Sequence, residues 1–182
     1  MEKVVRATEL DVSAVGLVLP DGFRIDSVEL AFPAPVVPCS PWQATEGTRV
    51  DVIIQVIAED VASYLNIKQP SGLSGFRVST KNGQLQVVAT LKVAILPVEV
   101  GAEGILEFTD GKLNFVPKRA EVAGVGAPEG MVKEQLEKIN PLIDLTGWPV
   151  DTVVRSIEIG NGKIRLEGTL TLTADIPRRD PK

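Results

Sequence analysis

Catalysis in a chain of 182 residues with no histidine and one cysteine would have to rest on carboxylates. The missing imidazole removes Ser-His-Asp and Cys-His arrangements, and with them most zinc and iron sites. Cys39 lies among Pro38, Ser40 and Pro41, a loop-like setting in which no histidine can deprotonate it. A single thiol also excludes an internal disulfide. Two acidic groupings remain, Glu59-Asp60 and Asp144 with Asp151. Either could serve acid–base work or hold Ca²⁺, yet neither has the spacing of an EF-hand loop, and helix starts and solvated loops favour acids anyway. The glycines form no GxGxxG or Walker pattern opening a helix after a strand. The expectation is a protein that is not an enzyme and carries no metal or cofactor, with a hydrolase built on Asp144 and Asp151 as the catalytic alternative.

Composition narrows the partner. The formal net charge is -5, and outside the terminal Arg178-Arg179 no basic cluster exists to neutralise phosphates, which argues against nucleic acid. No run of about 18 apolar residues is present to span a bilayer. The residues after Met1 also lack an export-signal pattern, since Glu2-Lys3 leads directly into Val4-Val5. What the chain does have is apolar side chains where polar ones are usual. Val88, Ala94 and Leu96 interrupt the polar face of a long strand, and Leu142, Ile143, Leu145 and Trp148 gather in a connecting segment. Core filling explains most such residues. The functional alternative is an apolar groove for a lipid-like ligand.

The elements that must position such a groove are read from turn chemistry. Asn161-Gly162 suits a two-residue hairpin loop, because both central residues of a type I′ turn need positive φ. Counting outward pairs Ile159 with Ile164, Ile157 with Leu166 and Val153 with Leu170, and leaves Glu158, Arg165 and Glu167 on the wet face. Asp110-Gly111 likewise pairs Phe108 with Leu113 and Leu106 with Phe115, and Asn82-Gly83 pairs Val78 with Val87 and Phe76 with Ala89. Pro20-Asp21-Gly22 fits a three-residue loop that sets Leu19 against Phe23. An irregularity is expected near Gly16, with a phase change from Ile25 to Val28. Four prolines between Pro33 and Pro41 exclude an interior strand there. The strand from Leu85 is read as running to Ile95, with a bend at Pro97, Gly101 or Gly104, and 122–130 is read as a loop.

Two stretches change period. Val61, Tyr64 and Leu65 mark a helix from Ala58 that Asn66 can end. Val132, Leu136 and Ile139 form one stripe of a second helix, with Pro128 suited to its first turn and Asn140-Pro141 ending it. The fold class is therefore α+β, a curved, mostly antiparallel sheet built from hairpins with two short amphipathic helices. It is expected as one domain over residues 1–176, followed by a polar tail at 177–182.

The run Ile139-Asn140-Pro141-Leu142-Ile143-Asp144-Leu145-Thr146-Gly147-Trp148-Pro149 resembles the carboxy-terminal signature of the LmeA family of bacterial cell-envelope phospholipid-binding proteins. So do Val154-Arg155-Ser156-Ile157-Glu158-Ile159 and Gly162-Lys163-Ile164-Arg165-Leu166-Glu167-Gly168. Ile25-Asp26-Ser27-Val28-Glu29-Leu30, the helix from Ala58 and the Asp110-Gly111-Lys112-Leu113 turn follow that family's order. The resemblance implies a tubular-lipid-binding-like shape, a phospholipid or other acyl lipid as partner, and a cell-envelope or periplasmic location with peripheral membrane contact. The missing export pattern leaves a cytoplasmic location as the alternative.

From the residues themselves, Tyr64, Leu65, Val132, Leu136, Ile139, Leu142, Ile143, Leu145 and Trp148 are the candidate lipid contacts. Segment 141–149 is the candidate lid, its apolar side chains sheltered until lipid arrives. The competing expectation is an envelope scaffold or protein-interaction module with no lipid ligand, meeting its partner through uncovered strand edges.

Overall fold

The structure, a computed structural model, describes residues 4–6, 8–33, 36–38, 47–70, 72–93, 95–126 and 129–173. The expectations for Cys39, Ala94, Pro128 and the tail lie outside the described residues. In chain order the elements are β1 (Val4–Arg6), β2 (Glu9–Val18), β3 (Arg24–Pro33), β4 (Val36–Pro38), β5 (Arg49–Ile57), α1 (Ala58–Lys68), β6 (Leu73–Lys81), β7 (Gln84–Val93), β8 (Leu96–Thr109), β9 (Lys112–Val122), β10 (Val125–Gly126), α2 (Glu129–Ile139), β11 (Ile143–Asp144), β12 (Val150–Gly160) and β13 (Lys163–Leu172).

All described pairings are antiparallel. One open sheet has the order β10-β9-β8-β7-β6, with β11 added to β9, and the other has the order β12-β13-β5-β3-β2. β1 and β4 pair separately. Strand β12 lies against β6, β7 and β8, which brings the two sheets together. The α+β expectation therefore stands as sheet-rich antiparallel structure with two short helices.

The turns form where Asn, Asp and Gly supply positive φ without steric cost. Asn82, Asp110 and Asn161 have φ of 51°, 51° and 53°, each followed by a glycine at 75°. Ile159 pairs with Ile164, Ile157 with Leu166, Phe108 with Leu113, Leu106 with Phe115 and Val78 with Val87. The Leu19 amide donates to the Phe23 carbonyl at 2.8 Å, closing the three-residue loop. The Asn161-Gly162 turn also fastens other elements. Its Gly162 amide donates to Thr80 Oγ1 at 2.7 Å, and its carbonyl accepts from the Ala58 amide at 2.8 Å.

Several expectations are corrected, mostly by register shifts. Val153 pairs with Thr169 rather than Leu170, because the register shifts between Val154 and Ser156. A similar shift between Ser74 and Arg77 leaves Phe76 without the expected direct pairing to Ala89. The bend at Gly104 is a third shift, between Glu103 and Gly104, with Lys118 as the extra residue on the partner strand. Gly16 has φ of 68°, as the irregularity requires, but β2 and β3 keep matched spacing across it (Val15 to Ser27, Leu17 to Ile25), so no residue is inserted.

Ile95 lies in a turn rather than a strand, with Val93 paired to Leu96, so β7 and β8 make a hairpin that no Asn-Gly or Asp-Gly announces. Ala123 and Gly124, at φ of 50° and 77°, make another, with β10 where a loop was expected. Helix α1 runs past Asn66 to Lys68 and ends on Gln69 in the left-handed region. The core is one cluster that includes Phe23, Val56, Tyr64, Leu65, Phe76, Leu85, Phe115 and Ile164.

Candidate functional site

Four strands and a helix build one apolar groove. Cross-strand partners point their side chains to the same face, so the register fixes which residues share the groove wall. Val87, Ala102 and Ala120 form one row across β7, β8 and β9, and Ala89, Val100 and Val122 form the next. These six side chains are small, and they leave a shallow apolar cavity of about 70 Å³ that opens to solvent. Leu73 and Phe76 wall the β6 side, Phe115 stands on β9, and Gln135 and Ile139 of α2 lie across it. Among the described residues, Glu121 is the one charged residue at the lining, and its carboxylate is paired with Arg119 at 2.7 Å.

The two phenylalanines are pinned from outside the sheet by matching devices. Asn66 of α1 accepts from the Phe76 amide at 2.8 Å and donates to its carbonyl at 2.9 Å. Asn140, just past α2, accepts from the Phe115 amide and donates to its carbonyl, both at 2.9 Å. A primary amide presents an acceptor oxygen and a donor N–H side by side in one plane, so it replaces a missing strand partner at a sheet edge. The Asn140-Pro141 peptide is cis.

The predicted site residues divide by location. Ile139 lines the groove. Tyr64 and Leu65 belong to the core at 2% and 1% exposure. The Tyr64 ring meets Phe23 edge-on at 5.0 Å, its hydroxyl donates to Asp21 Oδ2 at 2.9 Å, and Lys68 Nζ sits 4.9 Å from the ring centre. Burial pushes its phenol pKa up.

Leu142 is buried, while Ile143 and Leu145 are half-buried. Trp148 is 46% exposed, so the expected shelter holds for Leu142 and fails for the indole. Within segment 141–149, read from the sequence as a connecting segment, Ile143 and Asp144 form the short strand β11. Ile143 and Asp144 pair with Leu113 and Lys112, at the opposite end of β9 from Ala120 and Val122. The side chains of Val132 and Leu136 lie outside those described. Missed by the sequence reading were Ala89, Ala102 and Ala120; their signal was alternation that continues with unusually small residues.

Of the candidate carboxylates, Asp60 pairs with Arg24 at 3.3 Å and Asp144 is bonded within its own loop. Thr146 bonds Asp144 Oδ1 through its hydroxyl at 2.6 Å and its amide at 2.9 Å, holding that carboxyl below its ordinary pKa. Among the described residues, no group of three or more His, Cys, Asp or Glu could hold a metal ion. Among them, too, no helix is long and apolar enough to cross a membrane.

Fold and groove define a class, an open antiparallel scaffold that offers an apolar trough. The chain belongs to the LmeA-like phospholipid-binding family, whose model matches residues 6–169 of the 182. Comparison with curated proteins and with solved structures gives no match.

Proposed function

We propose that the protein holds a phospholipid by an acyl chain in the groove under α2, performs no chemistry on it, and works at a membrane of a bacterial cell envelope. The observation that carries this reading is the groove wall, two rows of alanine and valine with no unpaired charge. Each methylene removed from water contributes about 0.8 kcal/mol, so a few carbons of one acyl chain give useful affinity. Family membership supports the phospholipid as the ligand class, and two open sheets with helices laid along them suit a tubular-lipid-binding-like arrangement.

Native mass spectrometry of the purified protein with lipid extraction tests the reading. Phospholipid should co-purify, and Ala102→Trp should empty the groove while the circular dichroism spectrum is unchanged. No lipid, and no binding of a fluorescent acyl probe, would sink the proposal; retention of lipid by the Ala102→Trp protein would move the site elsewhere.

A second reading, a scaffold module without lipid, is favoured by one observation. β2 ends its sheet and carries exposed Val12, Val15, Leu17 and Val18, and an uncovered edge of this kind can add a strand from a partner. Light scattering on the eluted protein separates the readings, since a lipid-free stable oligomer would support the scaffold.

A further inference from the structure

The groove face does not stop where the groove does. Beyond the Ala89–Val100 pair, β7 and β8 continue for four residues each to the Val93–Leu96 pair, a projection of about 13 Å. Neither neighbouring strand follows it to the end. The first β6 pairing is Leu73 with Leu91, and β9 turns back at Val122, opposite Val100. The hairpin tip therefore stands free, and it is crowned by apolar side chains: Ile95 is 87% exposed and Leu96 65%.

Residues two apart share a face, so Leu96 and Val98 carry the face of Val100 outward to water. On the adjoining hairpin, Val125, 70% exposed, pairs with the groove residue Val122 and extends the same face. The other end of β9 is closed by buried Leu113 and Leu142, where β11 pairs.

We propose that the β7–β8 hairpin tip enters a phospholipid bilayer and seats the groove mouth at its surface, so that an acyl chain passes between bilayer and groove without crossing water. This rests on the groove holding an acyl chain. The continuity of one apolar face from Val100 to Leu96 singles out a bilayer as the occupant, because the face leads to the cavity that its lipids would fill. Beyond the Leu91–Val98 pair, where β6 ends, the hairpin runs on for two residues on each strand, about 7 Å, which matches the burial depth of about 5–10 Å typical of interfacial elements.

Charge contributes little to the attraction. Lys92 is the single cation beside the tip, Arg77 lies farther back opposite Val88 and is paired with Glu99 at 2.8 Å, and the whole chain carries -5. Insertion is therefore driven by apolar burial, and salt should leave it almost unchanged.

The test compares the full chain with an Ile95→Ser, Leu96→Ser double variant and an Ile67→Ser control; Ile67, on α1, is an apolar residue about as exposed as Leu96. Three readouts are flotation with phosphatidylcholine vesicles, with and without phosphatidylglycerol; transfer of a long-chain fluorescent phospholipid between vesicles; and binding of a short-chain fluorescent phospholipid dispersed as monomers. The double variant should lose roughly tenfold or more in flotation and transfer, given two apolar side chains removed, yet bind the monomeric probe like wild type. The control should match wild type throughout.

Undiminished flotation and transfer by the double variant would overturn the proposal. So would a change in oligomeric state on mutation, which would make a second copy the occupant. A blue shift of Trp148 on vesicles in a Trp42→Phe background, persisting in the double variant, would assign docking to segment 141–149 instead. Failure of wild type to bind the monomeric probe would mark the groove reading itself as wrong, and this proposal would fall with it.

Discussion

Asn66 and Asn140 each stand in for a strand. Removing the Asn140 side chain leaves the Phe115 amide and carbonyl without their partner at a residue only 2% exposed, at a cost of about 1–3 kcal/mol for each group left unpaired. Asn140→Ala and Asn66→Ala, each of which unpairs two groups, should both lower stability in urea unfolding by at least about 1–3 kcal/mol. Asn140→Asp is more informative, because a carboxylate can accept from the Phe115 amide but repels its carbonyl. Only the protonated acid can donate to that carbonyl, so the folded-state pKa of this new group is raised. The variant should therefore be weak at pH 7 and gain on wild type as pH falls toward about 4. Asp51 has the opposite sign. Hydrogen bonds from Arg155 at 2.9 Å and Thr169 at 3.2 Å hold its carboxyl below the ordinary value. Its stabilising effect is present above the unfolded-state pKa of about 3.9 and is lost as pH falls through the folded one. Thermal melts should show Asp51→Asn slightly below wild type at pH 7, with the gap closing in stronger acid.

Two strand irregularities rest on glycines for lack of room, not for backbone freedom. A Cβ at Gly104 would lie 2.2 Å from the Val116 carbonyl oxygen, and one at Gly168 would lie 2.4 Å from that of Val153. Each glycine sits where the register shifts and the partner backbone presses inward. Gly104→Ala and Gly168→Ala should each cost about 1–3 kcal/mol or more in chemical denaturation, as overpacking does. Gly101→Ala meets nothing nearer than Val88 Cγ2 at 4.0 Å and should be neutral or stabilising by about 0.4–1 kcal/mol. This contrast also marks what could be read in the sequence. Asn82-Gly83, Asp110-Gly111 and Asn161-Gly162 announced their hairpins, because turn geometry depends on the two residues in the turn. The β7–β8 turn did not, since the sequence between Val93 and Leu96 holds no Asn, Asp or Gly. The shifts at Arg77, Gly104 and Ser156 were hidden for another reason. Each is set by how a strand meets its partner, and only the partner's register reveals it.

At the scale of the whole molecule, the order β12-β13-β5-β3-β2 joins hairpins separated by the entire second sheet, and nothing local in the sequence encodes such pairing. The groove was legible in kind, apolar space between sheet and second helix, but not in place. Large side chains such as Tyr64 and Leu65 drew attention and turned out to be core, whereas the space comes from Ala89, Ala102 and Ala120, whose contribution is the volume they leave unfilled. The Asn161-Gly162 turn belongs to this scale as well, bonded on one side to Thr80 and on the other to Ala58. Hairpin tips are the customary places to splice in a foreign peptide, and this molecule should distinguish between two with nearly identical sequences. A short Gly-Ser stretch spliced between Asn82 and Gly83, both exposed with open space beside the glycine, should leave the melting temperature in place. The same stretch between Asn161 and Gly162 should lower it clearly, because there the splice loosens the stitch that holds one sheet and the first helix to the other sheet.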